Sequence, residues 1–332
     1  MTSHLIWKKN ITDFNVQSLC FDHTGRRLAC SSLNGTRIDV WKTSSEGRNI
    51  KTLESTQVLC DAPVVWASHW ALLAATIDSS IVMWTISEWE PRTIEFPKWL
   101  RNSRVEITAL SCPSATTTSD HIAVAGFSDG RACIFKIINE EELEVLKTWH
   151  ALRSPSSIVR NFVWSKRCVG NIQRLVVSGD HNAVHVFDVR WSVTSKSVKD
   201  IKNCERVVDV TFKDDIVLDD SNVLSISLDS AANEGVVLTR SGTMWVLNSS
   251  KSSIVRLRGG PRGSVSNMCA SADGSYVVCV EEGGGTLSVC VQFFHLLLFT
   301  SSLAHSFYLH MHTHTRTHTY AYIHNRYDNA RD

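Results

Sequence analysis

The stretch that decides the fold is VQSLCFDHTGRRLACSSLNGTRIDVWK, residues 16–42. The turn DHTG separates two short runs in which apolar and small residues alternate with polar ones. A second polar turn, SLNG, leads into a run that closes with Trp41. Alternation places every second side chain on one face of a strand, and Asp, Asn and Gly favour tight hairpin turns. The stretch therefore predicts three antiparallel strands.

The same pattern returns five more times along the chain. The further copies lie within residues 64–85, 107–136, 159–190, 207–248 and 264–290. Four of them close with an aromatic residue: Trp84, Phe135, Phe187 and Trp245. Short antiparallel strands in a repeat of roughly 40–50 residues are typical of a β-propeller, in which each unit buries the faces of its neighbours. The sequence thus predicts an all-β propeller over residues 1–290.

The strand ends of this repeat resemble those of the WD40-repeat family. The resemblance covers roughly residues 14–290 and rests on VWK, MWT, IFK, VFDVR and MWV, and on the turns SDG and GDHN. The motifs are degenerate, because only Phe187-Asp188 approaches the Trp-Asp dipeptide of the family. By this resemblance, Asp78, Asp129 and Asp180 hold the turn position of the family and tie down tight turns.

The number of blades has two alternatives. Six units are recognisable, whereas most propellers of the resembled family have seven blades. The segment HLIWKK, residues 4–9, is a candidate outer strand of a last blade, whose partner strands we expect after residue 290. The alternation instead stops at Cys290. Either the ring has six blades, or the chain is a fragment of a longer, seven-bladed propeller. INEEELEVLKTW, residues 138–149, is the one stretch that could form a helical turn.

The last segment, residues 291–332, differs from the repeats. It contains HMHTHTRTHTYAYIH, in which His310, His312 and His314 are candidate metal ligands, since His-rich tracts bind metal ions. Alternating His and Thr is also what a CA-dinucleotide repeat encodes. Our hypothesis is that this segment lies outside the propeller, is disordered, and is translated from intron sequence. Its apolar part approaches membrane-spanning length but contains His, Gln and Ser, so we expect no membrane span.

Composition narrows the class of function. The net charge of +1 argues against a protein held mainly by nucleic acid phosphates. Ten cysteines without a CxxC pair predict no disulfide framework, and the start MTSHLIWKKN predicts no signal peptide. We therefore expect a cytoplasmic or nuclear location. Residues 235–248 also loosely resemble a blade of large centriolar and ciliary WD-repeat proteins, which implies a cytoskeletal location.

No catalytic motif is present. The sequence has no G-x-S-x-G, H-E-x-x-H, P-loop or dinucleotide fingerprint. His181 and His185 lie four residues apart, about 13 Å on a straight strand, and cannot share an ion there without a bend. We expect no cofactor and no small-molecule substrate. The predicted function is a non-catalytic scaffold with protein partners in a multi-subunit assembly, and a propeller enzyme is the rival class.

Two segments are candidate protein-binding sites. SEWEPRTIEFPKWLRNSR, residues 87–104, carries Trp89, Arg92, Trp99 and Arg101, and Trp and Arg are common interface anchors. Its tryptophans could instead pack on neighbouring blades.

The second segment is VFDVR, residues 186–190. It resembles the box by which propeller substrate receptors join cullin-4 ubiquitin ligases. The resemblance implies that Asp188 and Arg190 contact the ligase adaptor, although Phe187 stands where the box prefers Trp. The alternative is that both residues only hold a strand end.

Overall fold

The computed structural model describes the repeats and leaves out several connecting segments. The described residues are 5–10, 16–32, 35–43, 48–60, 62–67, 71–100, 105–113, 121–138, 142–153, 157–165, 168–195, 204–219, 223–228, 234–239, 244–248, 253–256, 265–270, 276–281 and 286–291. They form 24 strands in six four-stranded antiparallel sheets, which confirms the predicted all-β fold of six units. Within these residues, no helix reaches the length and apolar character needed to cross a bilayer.

Each sheet is one blade, and its strands follow one another from the inside outward. Blade 1 contains β2 (Val16–Phe21), β3 (Arg27–Ser32), β4 (Arg37–Lys42) and β5 (Asn49–Glu54). Blade 2 contains β6 (Val65–Trp66), β7 (Ala71–Ala75), β8 (Ser80–Thr85) and β9 (Pro91–Glu95). Blade 3 contains β10 (Ile107–Ser111), β11 (His121–Phe127), β12 (Arg131–Ile138) and β13 (Glu142–His150).

Blades 4 to 6 repeat this order. Blade 4 contains β14 (Val159–Trp164), β15 (Ile172–Gly179), β16 (Ala183–Ser195) and β17 (Cys204–Val217). Blade 5 contains β18 (Val223–Leu228), β19 (Glu234–Thr239), β20 (Met244–Asn248) and β21 (Ser253–Arg256). Blade 6 contains β22 (Val265–Ala270), β23 (Tyr276–Glu281), β24 (Thr286–Val291) and, as its outer strand, β1 (Leu5–Asn10).

The N-terminal strand closes the ring. β1 pairs antiparallel with β24, with Leu5 opposite Cys290 and Asn10 opposite Thr286. The inner strand β22 of blade 6 lies beside β2 of blade 1. The expectation that partner strands for residues 4–9 follow residue 290 is wrong, because β24 itself offers its free edge to β1. The six sheets thus match the six-bladed alternative.

The described residues of the segment 138–149 lie in strands rather than in a helical turn. Ile138, at the end of β12, pairs with Glu142, and β13 continues this pairing to His150. Leu143 and Val145 pack toward the core between blades 2 and 3, whereas Leu146 and Trp149 pack toward the core between blades 3 and 4. An outer strand with apolar residues on both faces does not show strict alternation, and the spacing of its apolar residues then resembles that of a helix. This explains why a helical turn was the wrong prediction.

The fourth unit is longer than the sequence indicated. VVDVTFKD, residues 207–214, was expected to open the fifth unit, but it lies in β17, the outer strand of blade 4. β17 pairs with β16 from Val217 opposite Ala183 to Cys204 opposite Ser195. Because pairing with β16 decides its place, blade 5 begins only at Val223.

Neighbouring blades bury one another's apolar faces. Phe96 stacks edge-to-face on Phe127 and Phe135, with ring centroids 6.0 and 5.1 Å apart, between blades 2 and 3. Between blades 3 and 4, a Cβ atom added to Gly126 would lie 2.5 Å from Val159 Cγ1 and 2.7 Å from Phe162 Cε2. The blades therefore approach closely at Gly126, and the ring provides a rigid base for its loops.

Candidate functional site

The antiparallel order divides the connections between two faces of the propeller. Turns between the second and third strands of a blade lie at the same end as the connection to the next blade. We call this side the loop face. Turns between first and second strands, and between third and fourth strands, lie on the opposite face. Every described residue between two strands can therefore be assigned to one side.

The three predicted turn aspartates all lie on the loop face. Asp78 accepts hydrogen bonds from the hydroxyl of Thr76, from Ser80 N at 3.2 Å and from Gln57 Nε2 at 2.8 Å. Asp129 accepts from Arg131 N and Nε at 3.1 and 2.6 Å.

Asp180 reaches across to the next connection. Its Oδ1 accepts from Ile158 N at 3.0 Å, and its own N donates to Ile158 O at 3.2 Å. These carboxylates pair with backbone and side-chain donors of their own turns and connections, so the loop-face turns are held in place.

Apolar side chains are exposed on the loop face beside blade 2. Val58 lies in the connection from blade 1, Ile77 in the turn of blade 2, and Trp99 in the connection to blade 3; they are 37%, 59% and 62% exposed. Ile77 N donates to Val58 O at 3.1 Å. Ser79 Oγ donates to Val105 O at 2.8 Å, which joins the turn to the connection that carries Trp99. We call Val58, Ile77 and Trp99 the apolar patch.

The described residues of the segment 87–104 are divided between the two faces of the propeller. β9 runs between its two halves, so Trp89 and Arg92 lie toward the opposite face and Trp99 lies on the loop face. Arg101 lies outside the described residues. Five residues of strand span about 16 Å, too far for the two tryptophans to share a contact.

Trp89 and Trp99 also differ in how far they are buried. Trp89 packs against the core between blades 1 and 2 with a backbone φ of 59°, and its N donates to Thr85 O at 2.7 Å. Arg92 forms an ion pair with Glu88 at 2.9 Å. Trp89 and Arg92 thus have local partners, and Trp99 alone of the four candidates presents an exposed aromatic surface in the described part of the chain.

Asp188 and Arg190 lie on β16, away from the loop face. Asp188 is half-buried and contacts Arg174 Nε at 3.4 Å on β15 and Lys213 Nζ at 3.5 Å on β17. Arg190 is exposed. Asp188 therefore links three strands of blade 4.

A histidine pair lies on the loop face of blade 4. The Nε2 atoms of His181 and His185 are 2.9 Å apart. His185 Nδ1 lies 2.5 Å from Asp215 Oδ1, and Arg153 Nε lies 2.7 Å from Asp215 Oδ2. His181 lies in the turn before β16 and His185 lies on that strand, so the chain bends between the two rings and the straight-strand distance of about 13 Å does not apply.

The surroundings of His181 favour its neutral form. Burial lowers the pKa of His181 below its usual value, and the adjacent His185 lowers it further. The carboxylates of Asp180 and Asp215 act in the opposite direction, toward a higher pKa. His181 therefore resists protonation in the folded protein.

Several cysteines are held as thiols by burial. Burial raises the pKa of Cys20 to about 11 and that of Cys133 to about 12. Burial raises the pKa of Cys30 and Cys112 well above the usual value as well. A thiolate is the reactive form, so these four side chains act as small apolar residues of the core.

Within the described ranges, no group of three or more His, Cys, Asp and Glu side chains is placed to hold a metal ion. His310, His312 and His314 lie outside those ranges. The metal-binding interpretation of the tail stays a prediction.

Sequence reasoning missed Val58, Ile77, Arg153 and Asp215. Ile77 stands in a turn, and an apolar residue in a turn is a signal of a binding role that the sequence alone could have shown. Asp215 meets His185 from 30 positions away, and no local pattern marks such a pair.

The sheets and their closure define the class: the chain has a β-propeller fold. Comparison with solved structures agrees. The β-propeller domain of Cps50 (Swd1) from Myceliophteria thermophila superposes with a TM-score of 0.57 and 14% sequence identity, covering 83% of each chain. It is one of 1576 solved chains that match. No protein-family model and no curated protein sequence matches the chain.

Proposed function

We propose that the protein is a non-catalytic scaffold that binds other proteins of a multi-protein complex through its loop face. The apolar patch carries this proposal. Monomeric surfaces rarely cluster large apolar side chains without a binding role, and loops on a rigid base commonly carry function. Val58, Ile77 and Trp99 are large apolar side chains exposed on three elements of the loop face that hydrogen bonds join.

The resemblance of the strand ends to the WD40-repeat family supports the same proposal. Trp41, Trp84, Phe135, Phe187 and Trp245 all lie in the third strand of a blade. We also propose a cytoplasmic or nuclear location, with the centriolar resemblance of residues 235–248 as a narrower form of it.

Point variants of the patch test the scaffold. Ile77→Ser and Trp99→Ser remove exposed apolar area without touching the core. Val169→Ser is the matched control, since Val169 is 80% exposed but lies on the opposite face, between β14 and β15. Cross-linking followed by quantitative mass spectrometry in cells measures the bound proteins.

We expect both patch variants to lose the same set of proteins, by about tenfold for each 1.4 kcal/mol of lost affinity. The Val169→Ser control should keep that set. If wild type, patch variants and control all retain the same proteins, the loop face is not the binding surface.

The ligase alternative has a separate test. Asp188→Ala with Arg190→Ala should leave the bound proteins unchanged if these residues only hold β16. Loss of a ligase adaptor from that double variant would instead support the cullin-4 receptor function. Turnover in a broad substrate screen would support the rival enzyme class.

A further inference from the structure

We propose that the turn 180–182 of blade 4 is held by an acid-sensitive latch formed by His181, His185 and Asp215. The three side chains come from the turn, from β16 and from β17. The latch lies on the loop face, so its opening would change that face without unfolding the ring. This inference does not depend on the proposed scaffold function.

The hydrogen bonds fix where each proton lies at neutral pH. A carboxylate only accepts, so His185 donates its Nδ1 proton to Asp215 Oδ1. A neutral imidazole then keeps a lone pair on His185 Nε2. His181 must donate to it from Nε2, across 2.9 Å. His181 Nδ1 is left as a bare acceptor, and it is buried without a hydrogen-bond partner in the described part of the chain.

An added proton has no favourable place in this arrangement. Protonation of His181 at Nδ1 creates a buried N–H without an acceptor, and space is short there, since a Cβ on Gly179 would lie 2.9 Å from that atom. Protonation of His185 at Nε2 makes that ring the donor, so His181 must carry its own proton at Nδ1, where it is again a buried N–H without an acceptor. With both rings charged, no acceptor remains between them. Acid therefore favours the separated rings.

The charged groups around the pair define its response. Asp215 faces His185 from β17, Arg153 binds the second oxygen of Asp215 from the connection after β13, and Asp180 lies in the turn itself. Both oxygens of Asp215 therefore already have a partner, His185 on one and Arg153 on the other.

Two further backbone hydrogen bonds hold the turn, and their loss can be used to detect its opening. Asp180 N donates to Ile158 O at 3.2 Å, and Leu218 N donates to Asn182 O at 2.8 Å. Both amides become accessible when the turn leaves its neighbours. Their hydrogen exchange therefore measures the latch.

A metal ion does not explain the cluster. Among the described residues, only two nitrogens converge, and both oxygens of Asp215 are engaged by His185 and Arg153. A stable site needs more protein ligands than this.

Hydrogen exchange of the full chain, followed by mass spectrometry at about pH 7.5 and about pH 5.5, tests the latch. Rates are corrected for the intrinsic pH dependence of exchange. For each proton that only the open form binds, the ratio of open to closed turn rises up to roughly tenfold per pH unit below the ordinary histidine pKa. We expect acid to accelerate exchange at residues 179–182 and at Leu218, and to leave β11 and β12 unchanged.

Variants separate the latch from general acid destabilisation. His181→Gln can still donate to His185 Nε2 but does not titrate, so the acid acceleration should disappear. His150→Gln is the matched control, because His150 is exposed on β13, and it should behave as wild type. Equal acid acceleration in wild type and His181→Gln would overturn the proposal. So would Zn²⁺, added at neutral pH, slowing exchange at 179–182 at one equivalent per chain.

Discussion

Phe96 and Trp99 stand three residues apart in one connection, and they lie in opposite environments. Phe96 is 1% exposed and stacks on two phenylalanines between blades 2 and 3, whereas Trp99 is 62% exposed on the loop face. Leu100, the next residue, is buried again. Phe96 and Leu100 thus anchor the connection in the core, and Trp99 is left exposed at the surface. An aromatic residue in a connection can stabilise the ring or serve a partner, and burial decides which.

Replacing the anchor should have the largest effect on stability. Phe96→Ala removes a buried ring and leaves a cavity, and such changes cost about 3–5 kcal/mol. Urea unfolding, monitored by tryptophan fluorescence, measures the loss. A cost below about 1 kcal/mol would mean that the seam between blades 2 and 3 does not depend on this ring.

A smaller loss should follow overpacking of the next seam. Gly126→Ala brings a Cβ within 2.5 Å of Val159 Cγ1, and overpacking of this kind costs about 1–3 kcal/mol. Val159→Ala in the same chain removes the clashing methyl groups. The double variant should therefore lose less stability than the sum of the two single variants. Strict additivity would show that the two blades do not touch there.

Replacing Trp99, the exposed residue of the pair, should change stability least. Trp99→Ser alters a surface side chain, and its unfolding free energy should stay within about 0.5 kcal/mol of wild type. The same variant should lose bound proteins in the cross-linking experiment above. A large loss of stability would assign Trp99 to the ring, as the packing alternative for residues 87–104 requires.

The acid response of the loop face has a defined sign. The pKa of His181 is lowered on folding, so the unfolded chain takes up more protons as the pH falls below the ordinary histidine value. The contribution of His181 to stability is therefore fully present above that value and is lost on acidification. In the described part of the chain, Phe96 stacks on Phe127 and Phe135, and Gly126 faces Val159 and Phe162. None of these side chains titrates, so these two seams should not share this dependence.

The strands could be predicted because their signal is local. Alternation and a closing aromatic lie within one segment, and Trp41, Trp84, Phe135, Phe187 and Trp245 all lie in third strands, as expected. The blade to which β17 belongs could not be predicted in the same way. Its alternation marks a strand but does not say which blade it joins, and pairing with β16 decides that.

The candidate site was less predictable for the same reason. Trp89 and Trp99 look alike in sequence, but a strand between them sends them to different faces of the propeller. His185 meets Asp215 because β16 pairs with β17, and Arg153 binds the same carboxylate from the connection after β13. These residues are far apart in sequence, so a single sequence does not encode such contacts locally.

The pairing of β1 with β24 has a consequence for synthesis. β1 has no partner until nearly all of the propeller has been made, because Leu5 pairs with Cys290. During that time an unpaired edge is open to other chains, a known hazard for slow, non-local β folds. A chain stopped before Thr286 would not be a propeller with one strand fewer. Its ring would stay open, with two unpaired strand edges accessible to chaperones, proteases and other copies of the chain.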